Sequence, residues 1–202
     1  MTTKEKIVEA AVIEFSKGGY PGGRVESIAI KAGVNKAMIF YYFGSKEELY
    51  KVIINKIAGE LFNLIKNISN LNQDPNPEKF FETLAENYIL FFSKNRLYMK
   101  IIGTDLIQNP VNLKGALMNF FDSEKKGIPL NILNTLKEWY KQGKVTEPDP
   151  MHLFLNIISL CIFPLIARTF PEVLFDVDLN NEKFIEERIR SVKNILKRGI
   201  LK

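Results

Sequence analysis

The sequence predicts an all-α protein, with a three-helix N-terminal head followed by a larger helical domain. Three observations carry this reading. Apolar residues recur at three- and four-residue spacing along most of the 202-residue chain, and capping residues and glycines punctuate those stretches. No segment alternates with the two-residue period of a half-buried strand. At 46% hydrophobic and 25% charged residues the composition provides for a real core, and the length suits one small unit joined to one of middle size.

The elements follow in order. Thr2 and Glu5 have capping-box spacing, and Ile7, Val8, Ala11, Val12 and Phe15 form the apolar stripe of a first helix. Gly18-Gly19 ends it, and Tyr20-Pro21-Gly22-Gly23 is expected as a loop. Val25, Ile28, Ala29 and Ala32 make one face of a second helix that stops at Gly33, and Asn35 caps a third that Gly44 closes. Ser45 and Glu48 open a fourth, expected from Lys46 to about Asn67, with Leu49, Val52, Ile53, Ile57, Leu61, Leu64 and Ile65 as its stripe. The stretch 69–79 reads as a linker-like break. Helices are then expected at about 78–94, 95–108 and 113–143, the last interrupted near Gly127-Ile128-Pro129. A very apolar helix at 151–169 and an amphipathic one at 182–199 complete the chain.

Residues 24–46 are the most informative stretch: two short helices joined by a glycine turn, the form in which a helix-turn-helix meets a DNA major groove. On a helical wheel Ile39 and Phe43 share the face that anchors the third helix. Ala37 and Tyr41 point the other way, flanked by Met38 and Tyr42 on one side and Phe40 on the other. Tyrosine hydroxyls can donate to phosphate while their rings pack on sugars or thymine methyls. Lys36 and Lys46 flank this face, and the backbone N–H groups that start the fourth helix offer a further anion site.

Charge supports this only locally. The chain carries a net +5, but residues 1–50 hold seven basic and six acidic groups, and the excess lies in 183–202. Within 24–46, Arg24, Lys31, Lys36 and Lys46 face only Glu26.

Other function classes fare worse. A single Cys and a charged N-terminal stretch suit a reducing cytoplasm and speak against secretion. The apolar run 156–167 is too short for a bilayer and is broken by Pro164, so no membrane association is expected. His152 is the sole histidine and is expected partly buried; Cys161, in the most apolar helix, is expected as an inert core thiol. Neither metal nor cofactor is expected, because one His and one Cys make no familiar ligand set. Without a nucleophile–base pair, a phosphate loop or a convincing carboxylate pair, no enzyme is expected.

Residues 4–52 resemble the N-terminal domain of TetR-family transcriptional regulators. The likeness runs through Ala10-Ala11, Phe15, Gly19-Tyr20, Ile28-Ala29, Ala32-Gly33-Val34, Phe40-Tyr41-Tyr42-Phe43 and Ser45-Lys46-Glu47-Glu48-Leu49. The resemblance implies a homodimer on a palindromic, double-stranded operator. By position it places Lys36, Ala37, Met38 and Tyr41 in or at the groove and Phe40, Tyr42 and Lys46 at the DNA backbone. Two departures stand out. Phe40 replaces the family's usual Tyr and cannot donate to phosphate; Gly23-Arg24 replaces the usual Ser or Thr, losing a cap and gaining a cation that could reach DNA.

The resemblance further implies that 1–46 is the DNA-binding domain and 47–202 the effector-binding and dimerisation domain. An apolar or amphipathic effector is expected among Tyr88, Phe92, Met99 and Phe120, with Phe121, Trp139 and His152 nearby. Glu82, Glu86, Asp105 and Asp122 would suit a cationic one if they pointed inward. The two C-terminal helices, about 151–169 and 182–199, are the expected dimer interface, since a helix apolar all round must be covered on both sides. The alternative reading keeps the DNA-binding head and has the C-terminal domain recruit a protein partner instead of sensing a small molecule.

Overall fold

Thr2 opens the chain's first helix, α1 (Thr3–Phe15), through a complete capping box: the Glu5 N–H donates to Thr2 Oγ1 and the Thr2 N–H to Glu5 Oε2. The computed structural model describes residues 1–70, 76–108, 111–123 and 127–201, with side chains described at all of these except 69–70, 111, 121–123 and 127–130. Among the described residues there are only helices and a single isolated bridge between Val145 and Leu201. After α1 come α2 (Gly19–Gly22), α3 (Val25–Ala32), α4 (Lys36–Phe43), α5 (Lys46–Asn70) and α6 (Pro77–Lys94). They are followed by α7 (Arg96–Gln108), α8 (Val111–Ser123), α9 (Gly127–Lys141), α10 (Pro150–Ile166), α11 (Thr169–Phe175) and α12 (Glu182–Gly199). The chain divides into two units, Met1–Leu61 with Arg96–Phe120, and Phe62–Asn95 with Phe121–Lys202.

In the first unit α1 packs on α3 and on α7, and the buried positions are those the 3.6-residue period selects: Ile7, Ala11 and Phe15 on α1, Ile28 and Ala29 on α3. Tyr20–Gly23, expected as a loop, contains a single helical turn closed by Gly22 N–H to Gly18 O and Gly23 N–H to Gly19 O. Pro21 is compatible with it because a first-turn N–H has no intrahelical acceptor to lose. Gly23 is required by proximity, since a Cβ there would lie 2.4 Å from the Phe15 ring. On α5 the stripe is shifted from expectation. Val52 is exposed, whereas Tyr50, Ile54 and Ala58 join Leu49, Ile53 and Ile57 in the core.

Two buried carboxylates tie this unit together. Glu14 on α1 accepts from Lys17 and, across to α3, from Lys31, both at 3.0 Å. These donors, Lys17 first, hold its carboxyl at about 2, well below the ordinary 4.5, against the opposing effect of burial. The resulting stabilisation is complete above the unfolded value near 4.5 and is lost as the pH falls towards 2. Glu14→Gln is therefore expected to cost about 1–2 kcal/mol at pH 7. Chemical denaturation of both proteins between pH 7 and 3 checks this, with the gap closing in the acid range.

Asp105 on α7 is the second, 3% exposed. Its Oδ1 accepts from the Tyr50 hydroxyl at 3.0 Å and its Oδ2 from the Leu113 N–H at 3.1 Å, in the first turn of α8. One carboxylate thus joins α5, α7 and α8, and burial beside it pushes the Tyr50 hydroxyl pKa upward.

In the second unit α6 packs against both α10 and α12, and α9 against α10. Asparagine and aspartate caps start these helices: Asn76 on α6, Asp149 on α10 and Asn181 on α12, each accepting from first-turn N–H groups. Proline follows directly at Pro77 and Pro150, where its missing donor costs nothing. Phe80 and Phe81 meet Trp139 edge-on at 5.3 and 5.8 Å. Lys193 and Lys197 of α12 pair with Glu86 and Glu78 of α6, so part of the basic C-terminal helix is engaged within its own unit.

The apolar helix expected at 151–169 ends at Ile166, and α11 turns away from it by 67°. Pro171 accounts for the break: in a continuous helix its ring would meet the Ala167 carbonyl, whereas in the first turn of α11 it is tolerated. Pro164 stays inside α10 and leaves the Leu160 carbonyl without its helical donor. Arg188 of α12 fills that vacancy, its Nη2 donating to Leu160 O at 2.6 Å. No single described helix is long and apolar enough to cross a membrane.

Candidate nucleic-acid interface

Gly33 sets the angle between α3 and α4. It stands at φ 66°, a left-handed conformation that a side chain would strain, and its N–H closes back on α3. Asn35 then caps α4 by accepting from the Met38 N–H at 2.9 Å. Ile39 and Phe43 are buried at 0% and 7% exposure, so α4 is fixed along one face. On the other, Tyr41 is 83% exposed, with Ala37, Phe40 and Tyr42 also exposed and Met38 half-buried. The Tyr41 and Tyr42 rings meet edge-on at 5.3 Å, which stiffens the aromatic face.

The cations at this surface are not equivalent. Arg24 is exposed at the start of α3; it occupies the N-cap position and makes no side-chain cap. Lys36, the first residue of α4, is ion-paired with Glu26 and lies over the Phe40 ring at 5.8 Å. The Glu26 carboxyl is lowered from its ordinary range by the hydrogen bond from Lys36. Lys46 lies 4.5 Å from the centre of the Tyr20 ring and 3.5 Å from the Pro21 carbonyl. At the start of α5, Ser45 Oγ accepts the Glu48 N–H, and Glu47 and Glu48 both pair with Lys51. In the sequence alone Glu26 is a lone acid among the bases of 24–46. Its place in the first turn of α3, two residues after Arg24, was the available signal that it shares their surface.

Because Arg24 caps nothing, Arg24→Thr is expected to stabilise the head by about 0.5–1 kcal/mol through a restored cap. The same change is expected to weaken DNA binding by removing a cation. Thermal melts and duplex titrations of the variant check the two opposite signs together.

The residues expected at an effector site are distributed over both units. Tyr88 and Phe92 are buried neighbours on α6, 5.9 Å apart, and Trp139 belongs to the Phe80–Phe81 cluster, all in the second unit. Met99 is buried and Phe120 half-buried in the first unit, where Phe120 approaches Gly59. Phe121 lies outside the described side chains, as does Asp122. His152 is exposed on α10, against the expectation of partial burial, because the buried face of the helix runs through Leu153, Ile157 and Cys161 and position 152 lies off it. Cys161 is buried, and burial pushes its thiol up to about 12, as an inert core thiol requires. Glu86 is ion-paired with Lys193, which already supplies its cation, and Asp105 accepts from the Tyr50 hydroxyl and the Leu113 N–H. Among the described residues no three His, Cys, Asp or Glu side chains converge on a metal geometry.

A short helix anchored on one face, presenting aromatic and basic side chains on the other and set after a glycine turn, defines a DNA-reading helix-turn-helix. Residues 7–53 match the tetR family of bacterial regulatory proteins. The transcriptional repressor NicS of Pseudomonas putida is 28% identical, over 98% of this chain and 92% of its own length. The regulator RutR of Escherichia coli K12 is also 28% identical, over 98% and 90%. Among solved structures, FadR of Bacillus subtilis, in complex with stearoyl-CoA, shares the fold with a TM-score of 0.67 at 18% identity, over 96% of this chain and 98% of that one. Residues 7–53 thus match the tetR family of bacterial regulatory proteins, and almost the whole chain is similar to transcriptional regulators.

Proposed function

We propose that the chain is a cytoplasmic, dimeric repressor that binds a palindromic operator through residues 1–46 and is released by a small apolar or amphipathic effector bound within 47–202. The observation that carries this is the outward Ala37–Met38–Tyr41 face on a helix locked by Ile39 and Phe43. Dimerisation through α10 and α12 is supported by the stripe of Met151, Leu155, Phe163 and Ile166 exposed on α10, opposite its buried Leu153, Ile157 and Cys161, with Ile195 exposed on α12. An apolar effector is supported by the aromatic interior around Tyr88 and Phe92 and by the pairing of Glu86 with Lys193. FadR's stearoyl-CoA is an example of such a ligand on this fold. The effector acts by favouring a dimer geometry that fits the operator poorly.

Footprinting over the DNA upstream of the chain's own gene tests this reading. Two protected half-sites related by a dyad are expected, and a Phe163→Glu variant, monomeric by sedimentation, is expected to lose them together. A dimer that protects nothing there at any salt concentration contradicts it.

One observation favours the second reading, recruitment of a protein. On α11, Phe170, Val173, Leu174 and Phe175 are all exposed and no residue of the helix is buried. A Leu174→Glu variant that keeps its dimer and its footprint yet loses regulation in cells would decide for that reading.

A further inference from the structure

The cations identified at the reading surface attract DNA, and Glu26 among them repels it. Glu26 stands in the first turn of α3, exposed, and its Oε1 holds the ammonium of Lys36, the first residue of α4. The pair bridges the two helices of the helix-turn-helix on the side that carries Arg24. A carboxylate among these cations lowers affinity for any duplex bound there, because it repels phosphates and occupies a lysine that would otherwise neutralise one. Such a group favours binding only where the DNA offers it a donor. In the major groove the donors are exocyclic amino groups, and a carboxylate accepts from cytosine N4, while the lysine beside it matches the O6 and N7 acceptors of guanine. The two side chains together are thus complementary to the two edges of a C·G pair.

We infer that Glu26 is a specificity-determining residue, which with Lys36 reads a C·G base pair in each half-site. The assignment rests on the DNA-binding reading above. Phosphate contacts position the head without carrying sequence information, whereas Glu26 penalises duplexes that lack the matching amino group.

The test is selection of binding sites from a randomised duplex library by the wild-type chain, Glu26→Ala and Lys36→Ala, followed by salt titrations on a duplex of scrambled sequence. The wild type is expected to enrich a palindrome with one C·G position per half-site, preferred about tenfold. Glu26→Ala is expected to lose the preference at that position alone. It is also expected to bind the scrambled duplex more tightly, its salt dependence steepened by about one unit of slope per subunit as Lys36 becomes free. Lys36→Ala is expected to lose the same position without that steepening. A Glu26→Ala consensus identical to the wild type's overturns the assignment, even if scrambled duplex binds more tightly. A wild type that enriches no sequence overturns the DNA-binding reading as well. Both side chains are exposed, and coincident thermal melts of the three proteins exclude misfolding as the cause.

Discussion

Tyr41→Ala is expected to lower operator affinity on the order of 100-fold in a dimer, by removing a contact of about 1–3 kcal/mol from each subunit. The same variant is expected to unfold within about 0.5 kcal/mol of the wild type. The two expectations diverge because Tyr41 is 83% exposed on a helix held by other residues, Ile39 and Phe43. A tyrosine this exposed, meeting Tyr42 edge-on, contributes little to the core. Fluorescence-anisotropy titration of a labelled operator duplex, paired with a denaturant melt, measures both. Unchanged affinity would mean that α4 meets DNA along another face.

Asp105→Ala is expected to do the opposite, costing stability at a buried carboxylate. The substitution leaves the Tyr50 hydroxyl and the Leu113 N–H buried without their acceptor and opens a small void, together about 3–5 kcal/mol. For a chain of this length that corresponds to a fall in the melting midpoint of roughly 6–15 °C. Tyr50→Phe keeps the bond from the Leu113 N–H and strips only Oδ1 of its donor, so it is expected to cost less, about 1–3 kcal/mol. Calorimetry of the two variants distinguishes a carboxylate that joins three helices from an ordinary buried polar residue.

The sequence made the head legible because its signals are local. Caps at Thr2 and Asn35, the turn at Gly33 and the Ile39/Phe43 spacing each fix a few neighbouring residues, and all agree with the helices observed. What escaped depends on partners distant in sequence. Glu14 and Lys31 meet across 17 residues, Tyr50 and Asp105 across 55, and Leu160 and Arg188 across 28. No periodicity announces such pairs. The shifted stripe on α5 has the same origin: Tyr50 is buried because Asp105 receives its hydroxyl, which amphipathic patterning does not see. The two helices that were missed, α2 and α11, are short turns around Pro21 and Pro171, where a proline reads as a breaker and serves as a starter. Glu26 was visible throughout, but its pairing with Lys36 emerges only once α3 and α4 are set at their angle.

The central claim is that α4 and its neighbours recognise a particular DNA sequence as a symmetric pair. Selection from a randomised duplex library, with sequencing of the retained pool, tests it most directly. The expected result is a palindromic consensus with half-site centres about 10 base pairs apart, or a multiple of that spacing, lost in Tyr41→Ala. A pool that stays random, or a consensus without a dyad, would contradict it.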